Sequence, residues 1–449
     1  MRISTSQLYA AGANGIERRQ NQLLKLQEQL SSGRRLLTPA DDPVAAARAL
    51  EVTQAKDIGA QYARNQGIAT DRLRLVDSQL TSLTEVLQSV RSRAIQAGNT
   101  VLSNTDRQAI ASELEARFDE MLGIANTRSA EGEYLFSGHR GAAMPFARGA
   151  AVPPATTGFV SYAGDDGERL LQVAASQQMA TSVAGSELFM QIREGNGSFV
   201  AAASGNGTAL ANQGSGVISQ GSVLDQGQWE AALNGGFAWQ GTEDRALQIR
   251  FSSAAGVSSY QLFDVSQPPP PAAPLPAAAV GPVVPFTPGQ AIPLVTTQPP
   301  APSAGADFGA QVVITGSPAA GDTFSIRPSV NKSAFQTVQE MIDLLRRPLD
   351  SSTARTEFTG RMQGHLAGID QALARVGQVQ SSVGTRLQTL EDLSDNATVL
   401  DIQYQQSLSD LVDLDYVRAI SDFTREQVSL EAAQKSFVAI SGLSLFKYL

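Results

Sequence analysis

LAGIDQALARVGQVQSSVGTRLQTLEDLSDNATVLDIQYQQSLSDLVDLDYVRAISDFTREQVSLEAAQKSFVAISGLSLFKYL, residues 366–449, decides the fold of this chain. Leu366, Ile369, Leu373, Val376, Val379, Val383, Leu387, Leu390, Leu393, Ala397, Leu400, Tyr404, Leu408, Leu411 and Leu414 step by three or four residues, the spacing of a coiled-coil seam. Val417, Ile420, Phe423, Leu430, Ala433, Phe437 and Ile440 continue the stripe, and no proline interrupts it. The spacing predicts one uninterrupted helical arm, which at 1.5 Å per residue reaches about 125 Å. A one-sided apolar stripe of that length leaves its seam in water unless other helices cover it.

The opposite end of the chain offers such helices. Ile16, Leu23, Leu26 and Leu30 share one face of a first helix that Ser31-Ser32-Gly33 stops. Asp41-Asp42-Pro43 then opens a second helix, because an aspartate accepts first-turn N–H groups and proline at the first helical position gives up no needed donor. Paired aspartates also serve catalysis, but beside a proline at a helix start capping is the commoner role. Ile58, Tyr62, Ala69, Leu73, Val76, Leu80, Leu83, Leu87 and Val90 stripe a rod from Val44 to about Ala97, broken by Gly98-Asn99-Thr100. Thr105-Asp106 is predicted to cap a third helix carrying Ile110, Leu114, Phe118, Met121 and Ala125, followed by a strand-like Tyr134-Leu135-Phe136. Parts of the two termini are therefore expected to pack side by side in an elongated molecule.

Between about Gly141 and Val330 the character changes. Gly158-Phe159-Val160-Ser161-Tyr162, Leu247-Gln248-Ile249-Arg250-Phe251 and Val312-Val313-Ile314 read as short strands. Gln267–Pro302 holds thirteen of the 21 prolines and reads as an extended, poorly packed surface linker. The alternative, a proline-rich ligand for a peptide-binding module, lacks flanking basic residues. Gly205-Asn206-Gly207 and Gly214-Ser215-Gly216 read as turns, since neither leads from a strand into a helix as a phosphate cradle would.

Composition bounds the function. A net charge of −9 and a pI near 5.0 oppose a nucleic-acid surface. The chain has no cysteine, so thiolate metal sites and cysteine nucleophiles are excluded. The start MRISTSQLYAAGANG lacks a basic stretch with an apolar core, and no apolar run approaches a membrane span, so neither a cleaved signal peptide nor a membrane partner is expected. The only histidines, His139 and His365, show no ligand spacing and read as ordinary surface residues. No serine sits in a nucleophile elbow followed by acid and base. No cofactor, metal or enzymatic activity is expected.

The opening MRISTSQLY, the block EQLSSGRRLLTPADDPVAAARAL, the turn EGEYLFSG and the ending LVDLDYVRAISDFTREQVSLEAAQKSFVAISGLSLFKYL resemble the flagellin superfamily over Met1–Gly138 and Ser333–Leu449. The finish Ser444-Leu445-Phe446-Lys447-Tyr448-Leu449 is more similar to the branch at the hook-filament junction than to filament flagellins. The proline-rich stretch departs from the family pattern. The resemblance implies a mainly α fold with a β-rich insertion: an elongated flagellin-like rod with coiled-coil terminal arms and a central β-rich outer domain. Residues 1–40 and 410–449 would form the terminal assembly domain, 41–140 and 331–409 the rod core, and 141–330 the outer insertion with its Pro-rich linker 267–304. It further implies a structural subunit, exported unfolded through the flagellar type III channel, that assembles in a ring of identical subunits between hook-associated protein 1 and flagellin. Leu408, Leu411, Leu414, Val417, Ile420, Phe423, Leu430, Phe437 and Ile440, with Ile16, Leu23, Leu26 and Leu30, would carry the assembly contacts, and an export chaperone would cover the C-terminal stripe. A filament flagellin is the alternative. A secreted enzyme with its chemistry in the insertion would need convergent polar residues that the insertion does not display.

Overall fold

The computed structural model describes residues 5–99, 102–149, 159–206, 211–235, 245–254, 256–266, 277–296 and 306–445. Met1–Ser4, Thr100, Gly158, Gly207, 267–276, 297–305 and Phe446–Leu449 lie outside the described residues. The helices are α1 (Thr5–Ser32), α2 (Pro43–Ala97), α3 (Asn104–Ala125), α4 (Gln226–Gly235), α5 (Ala334–Arg346), α6 (Ser352–Val412) and α7 (Tyr416–Leu445). They enclose a β-rich middle, so the fold is mainly α with a β-rich insertion, as the family resemblance implies. Two compact units divide the chain: a terminal unit of Met1–Ile68, Gln172–Gln178 and Thr389–Leu449, and a central unit of Ala69–Leu171 and Met179–Gln388.

In the central unit the helical stripes close on one another. Ala69, Leu73, Val76, Leu80, Leu83, Leu87 and Val90 of α2 are buried, as are Ile369, Val376, Val379 and Val383 of α6. The two helices run antiparallel here, with Arg91 Nε 2.7 Å from Asp370 Oδ1 and Gln380 Nε2 3.2 Å from Asp77 Oδ1. Ile110, Leu114, Phe118, Met121 and Ala125 of α3 are buried. The cap of α3 lies two residues before the predicted pair: Ser103 accepts the Asp106 N–H at 3.1 Å, and Asp106 returns the bond to the Ser103 N–H. Asp106 therefore completes the capping box, because only a residue ahead of the helix has the extended backbone that lets its side chain reach the third amide.

Aromatic rings from separate segments meet beside these helices. Phe335 of α5 lies 5.8 Å from Phe118, 5.4 Å from Phe146 and 5.3 Å from Phe189, centroid to centroid. Tyr134-Leu135-Phe136, predicted strand-like, forms a buried turn instead, joined by a single bridge between Tyr134 and Arg128. Its side chains go into the core on every position, which an alternating strand cannot do.

The β region is antiparallel. One sheet runs Ala278–Ala279, Val257–Asp264, Leu247–Ala254, Asp322–Pro328, Phe199–Asn206, and a second runs Ala291–Val295, Asp307–Thr315, Val217–Ile218. Two of the predicted strands fall within Leu247–Ala254 and Asp307–Thr315, and the first is strand over Val160–Tyr162, with Phe159 outside it. Trp229 of α4 lies between Phe199 and Phe308, 5.2 and 6.0 Å away, and joins the core formed by both sheets. Two expectations need correction. Within 277–296 of the proline-rich stretch short strands form and Val280, Ile292 and Leu294 are buried, although 282–291 is largely exposed; Pro293 lies in a strand and interrupts its register without ending it. Gly205-Asn206 ends the strand Phe199–Asn206 at a register shift opposite Thr323 and Phe324, so it is strand and not turn.

Candidate assembly surface in the terminal unit

The terminal unit pairs the two chain ends. α1 and α7 lie antiparallel: Tyr9 meets Phe437 edge-on at 5.9 Å, Arg19 reaches Glu426 at 3.1 Å, and Gly33 sits against the Tyr416 hydroxyl. Gly12 gives Phe437 its seat, because a Cβ there would stand 2.8 Å from the ring. The stretch 172–178 is held on α2 by Asn65 and Gln66, whose amides donate to the Gln172 and Val173 carbonyls at 2.7 and 2.8 Å.

The predicted uninterrupted arm is two helices, α6 and α7, separated at Asp413-Leu414-Asp415. The break is filled by the segment after α1. The Arg35 N–H donates to the Val412 carbonyl at 2.8 Å, the Leu414 N–H to the Gly33 carbonyl at 3.0 Å, and the Arg35 side chain to the Leu411 carbonyl at 2.6 Å. Asp415 accepts from the Val417 and Arg418 N–H groups at 3.0 and 3.2 Å, which restarts the helix. Apolar periodicity carries through Leu414 regardless of the backbone, so spacing alone does not mark Gly33, Arg35, Asp415 and Tyr416 as the residues of the break. An aspartate directly ahead of Tyr416-Val417 was the available signal.

Each predicted cap residue has its own place. Asp42 accepts the Ala45 N–H at 3.0 Å and caps α2, which Pro43 begins. Asp41 turns the other way: it accepts from the Leu37 and Thr38 N–H groups at 3.2 and 2.8 Å and pairs with Lys25. The Lys25 ammonium and the Thr38 amide hold its carboxyl down at about 2. The Ala45 amide also lowers the Asp42 carboxyl below its ordinary value.

The predicted assembly residues lie on elements of this one unit. Ile16, Leu23, Leu26 and Leu30 of α1 are half-buried, as are Leu408, Leu411, Leu414, Phe423, Leu430 and Phe437. Val417 and Ile420 are exposed, Val417 to 80% of its surface. Ile440 lies within α7, and its side chain is outside the described residues. Leu24, Leu50, Ile402, Val428 and Val438 extend the exposed apolar set. Among the described residues of the unit, the buried apolar side chains are Ala45, Ala49, Val173, Leu390 and Ala419. Exposed apolar side chains in such number are chemically suited to meet another apolar surface.

His365 corrects a further expectation. Its side chain is only 14% exposed, and it stands 3.8 Å from Glu340. Burial drives its pKa down to about 4 against the opposing pull of Glu340, so the ring is neutral. Position 365 falls on the buried side of α6, between α5 and the β region, which a single residue type does not reveal. His139 is exposed. Among the described residues no group of three or more His, Cys, Asp or Glu side chains is arranged to hold a metal, and no helix is long and apolar enough to cross a membrane.

Known proteins share this arrangement. The pattern of the bacterial flagellin N-terminal helical region matches residues 3–140, and that of the C-terminal helical region matches residues 366–449. The flagellar hook-associated protein 3 of Salmonella typhimurium is 34% identical over 192 residues, 43% of this chain and 58% of that protein's length. The crystal structure of the flagellar junction protein FlgL from Legionella pneumophila is 30% identical at a TM-score of 0.63, with 82% of this chain and all of that one covered. A second structure from the same organism, of flagellar hook associated protein-3, gives 28% identity and a TM-score of 0.65 over 80% of this chain and 98% of that one. Flagellin-type helical regions at both termini around a β-rich middle define a flagellin-like protein. Within that class, the chain belongs to the flagellar hook-associated protein 3 family.

Proposed function

We propose that this chain is a structural subunit of the bacterial flagellum at the junction of hook and filament. A ring of its copies covers the layer formed by hook-associated protein 1 and presents the surface on which flagellin begins to polymerise. The observation that carries this reading is the contrast within the apolar stripes: closed in the central unit, open in the terminal unit at Val417, Ile420 and their neighbours. An open stripe of that extent is completed by helices of other subunits. The names of the relatives, hook-associated and junction protein, point to the place. Residues 1–40 and 410–449 supply the contacts, 41–140 and 331–409 the rod, and 141–330 the outer part. Export proceeds through the flagellar type III channel to the cell exterior, with a chaperone covering the stripe from Leu408 onward. Deleting the gene should leave hooks intact and release unpolymerised flagellin into the medium. Normal filaments on the deletion strain would sink the reading.

A further inference from the structure

A cleft of about 350 Å³ opens inside the central unit between the strands Phe199–Asn206 and Val217–Ile218 on one side and α5 and α6 on the other. That volume is in the range of small-molecule sites. Its lining carries Arg193, Arg327, Lys332 and Arg361 against Glu194, Glu340 and Glu357, one cation in excess within a chain of net charge −9. The carboxylates of the inner wall are already engaged. Glu194 takes Arg327 at 3.1 Å and Lys332 at 3.4 Å, and Glu340 takes Lys332 and the Gln336 amide. The donors are not. Arg361 uses one nitrogen on Glu357 at 2.7 Å, Arg193 uses one on the Ser329 carbonyl at 2.8 Å, and buried His365 makes no hydrogen bond among the described residues. A guanidinium carries five N–H donors, so both exposed arginines keep most of theirs open to water and to a ligand that displaces it.

We propose that this cleft binds a small dicarboxylate. A cation stands on each wall: Arg361, with the neutral His365 one turn further along α6, faces the cleft from one side, and Arg193, beside the Arg327 that Glu194 already holds, from the strand side. Two anionic ends satisfy both sets at once, with the arginines as fork donors. The bare helical wall at Gly360 and Gly364 leaves room for the linking carbons, since a Cβ on Gly364 would meet only the Gln220 amide at 3.6 Å. The proposal is independent of the flagellar reading and uses residues outside the terminal unit.

The chain has only two histidines, so imidazole resonances of the full-length protein can be assigned with His139→Gln and followed by NMR during titration with succinate, glutarate and adipate. A saturable shift of the His365 signals with half-saturation at or below about 1 mM is expected. Arg361→Gln and Gly364→Leu, the second filling the cleft without touching a charge, should each weaken it about tenfold or more. Three results overturn the proposal: no saturable shift with any of the three acids, an equal shift with the neutral diamide or with chloride at matched ionic strength, or a shift that follows protein concentration without ligand, which would make the cleft a contact between copies.

Discussion

His365 is held neutral among ionic groups that face it from several elements: Glu340 of α5, Arg347 just beyond it, Lys332 of the strand Asn331–Lys332, and Arg361 of α6. Its folded pKa of about 4 lies below the ordinary 6.5. Between those values the unfolded chain takes up a proton that the folded chain refuses, so the folded central unit loses stability as pH drops through this window and is unaffected above it. Glu340 acts with the same sign at lower pH: burial opposes its charge, but Lys332 outweighs burial and leaves the carboxyl below its ordinary range. Urea midpoints measured from pH 7 to pH 4 should fall, by at most on the order of 3 kcal/mol in stability for this ring, and His365→Gln should flatten the slope. An unchanged slope in that variant would assign the acid sensitivity elsewhere. Asp42 is tested by replacement with a second capping residue. Asp42→Ala should lower the thermal midpoint by roughly 2 to 4 °C while Asp42→Asn leaves it in place, because asparagine caps as well as aspartate. Equal losses in the two variants would mean that the carboxylate charge, paired with Arg35 at 3.5 Å, matters more than the cap.

The interruption between α6 and α7 depends on Gly33 as much as on the arm itself. Gly33 has a φ of 72°, and a Cβ there would stand 2.8 Å from the Tyr416 hydroxyl oxygen. Gly33→Ala should therefore cost about 1–2 kcal/mol from the left-handed backbone alone, plus the contact. Adding Tyr416→Phe should recover only the contact. Full recovery in the double variant, read by chemical unfolding, would show that the backbone conformation is not required. This element also shows where the sequence was legible. Stripes that are buried against a partner, such as Leu73 to Val90 and Ile369 to Val383, are periodic because burial imposes the period, and they are read directly. The break at 413–415 was not, because it is made by hydrogen bonds from residues almost 400 positions away, and such bonds leave no periodic trace in either segment. The same reason hides the strands of 277–296, whose prolines argue for open chain until Ile292 and Leu294 are seen to pack against the Asp307–Thr315 strand side of the core. Of the surface that carries the proposed assembly role, its residues were readable from spacing, while their degree of exposure depended on which stretches of the stripe find partners within the chain.

The two units differ in what holds each together. Phe118, Phe136, Phe146, Phe189, Phe199, Phe308, Phe324, Phe335 and Phe358 are all fully buried in the central unit, whereas the terminal unit buries three alanines, one valine and one leucine among its described apolar residues. Ordering a residue costs on the order of 1 kcal/mol in backbone entropy, and a helix recovers that chiefly by burying its apolar face. Among the described side chains of α7 only Ala419 is buried, and Val417, Ile420, Val428 and Val438 are open, so its helical form is expected to be marginal in an isolated subunit and firm once neighbouring subunits cover it. On the proposed function, folding of the terminal unit would thereby be coupled to assembly. Charged replacements at Leu411, Leu414, Ile420 and Phe437 should abolish incorporation at the hook tip, because Ile420 lies on the open face while half-buried Leu411, Leu414 and Phe437 help to hold the arm together, Phe437 against α1, and the melting transition of the central unit should stay nearly unchanged. Amide hydrogen exchange on the isolated chain gives the sharper test, since local opening free energies can be read segment by segment. The amides of Tyr416–Leu445 should exchange far faster than those of Leu73 to Leu87. Equal protection in the two segments would mean that the half-buried contacts with α1 suffice on their own, and the coupling of folding to assembly would be wrong.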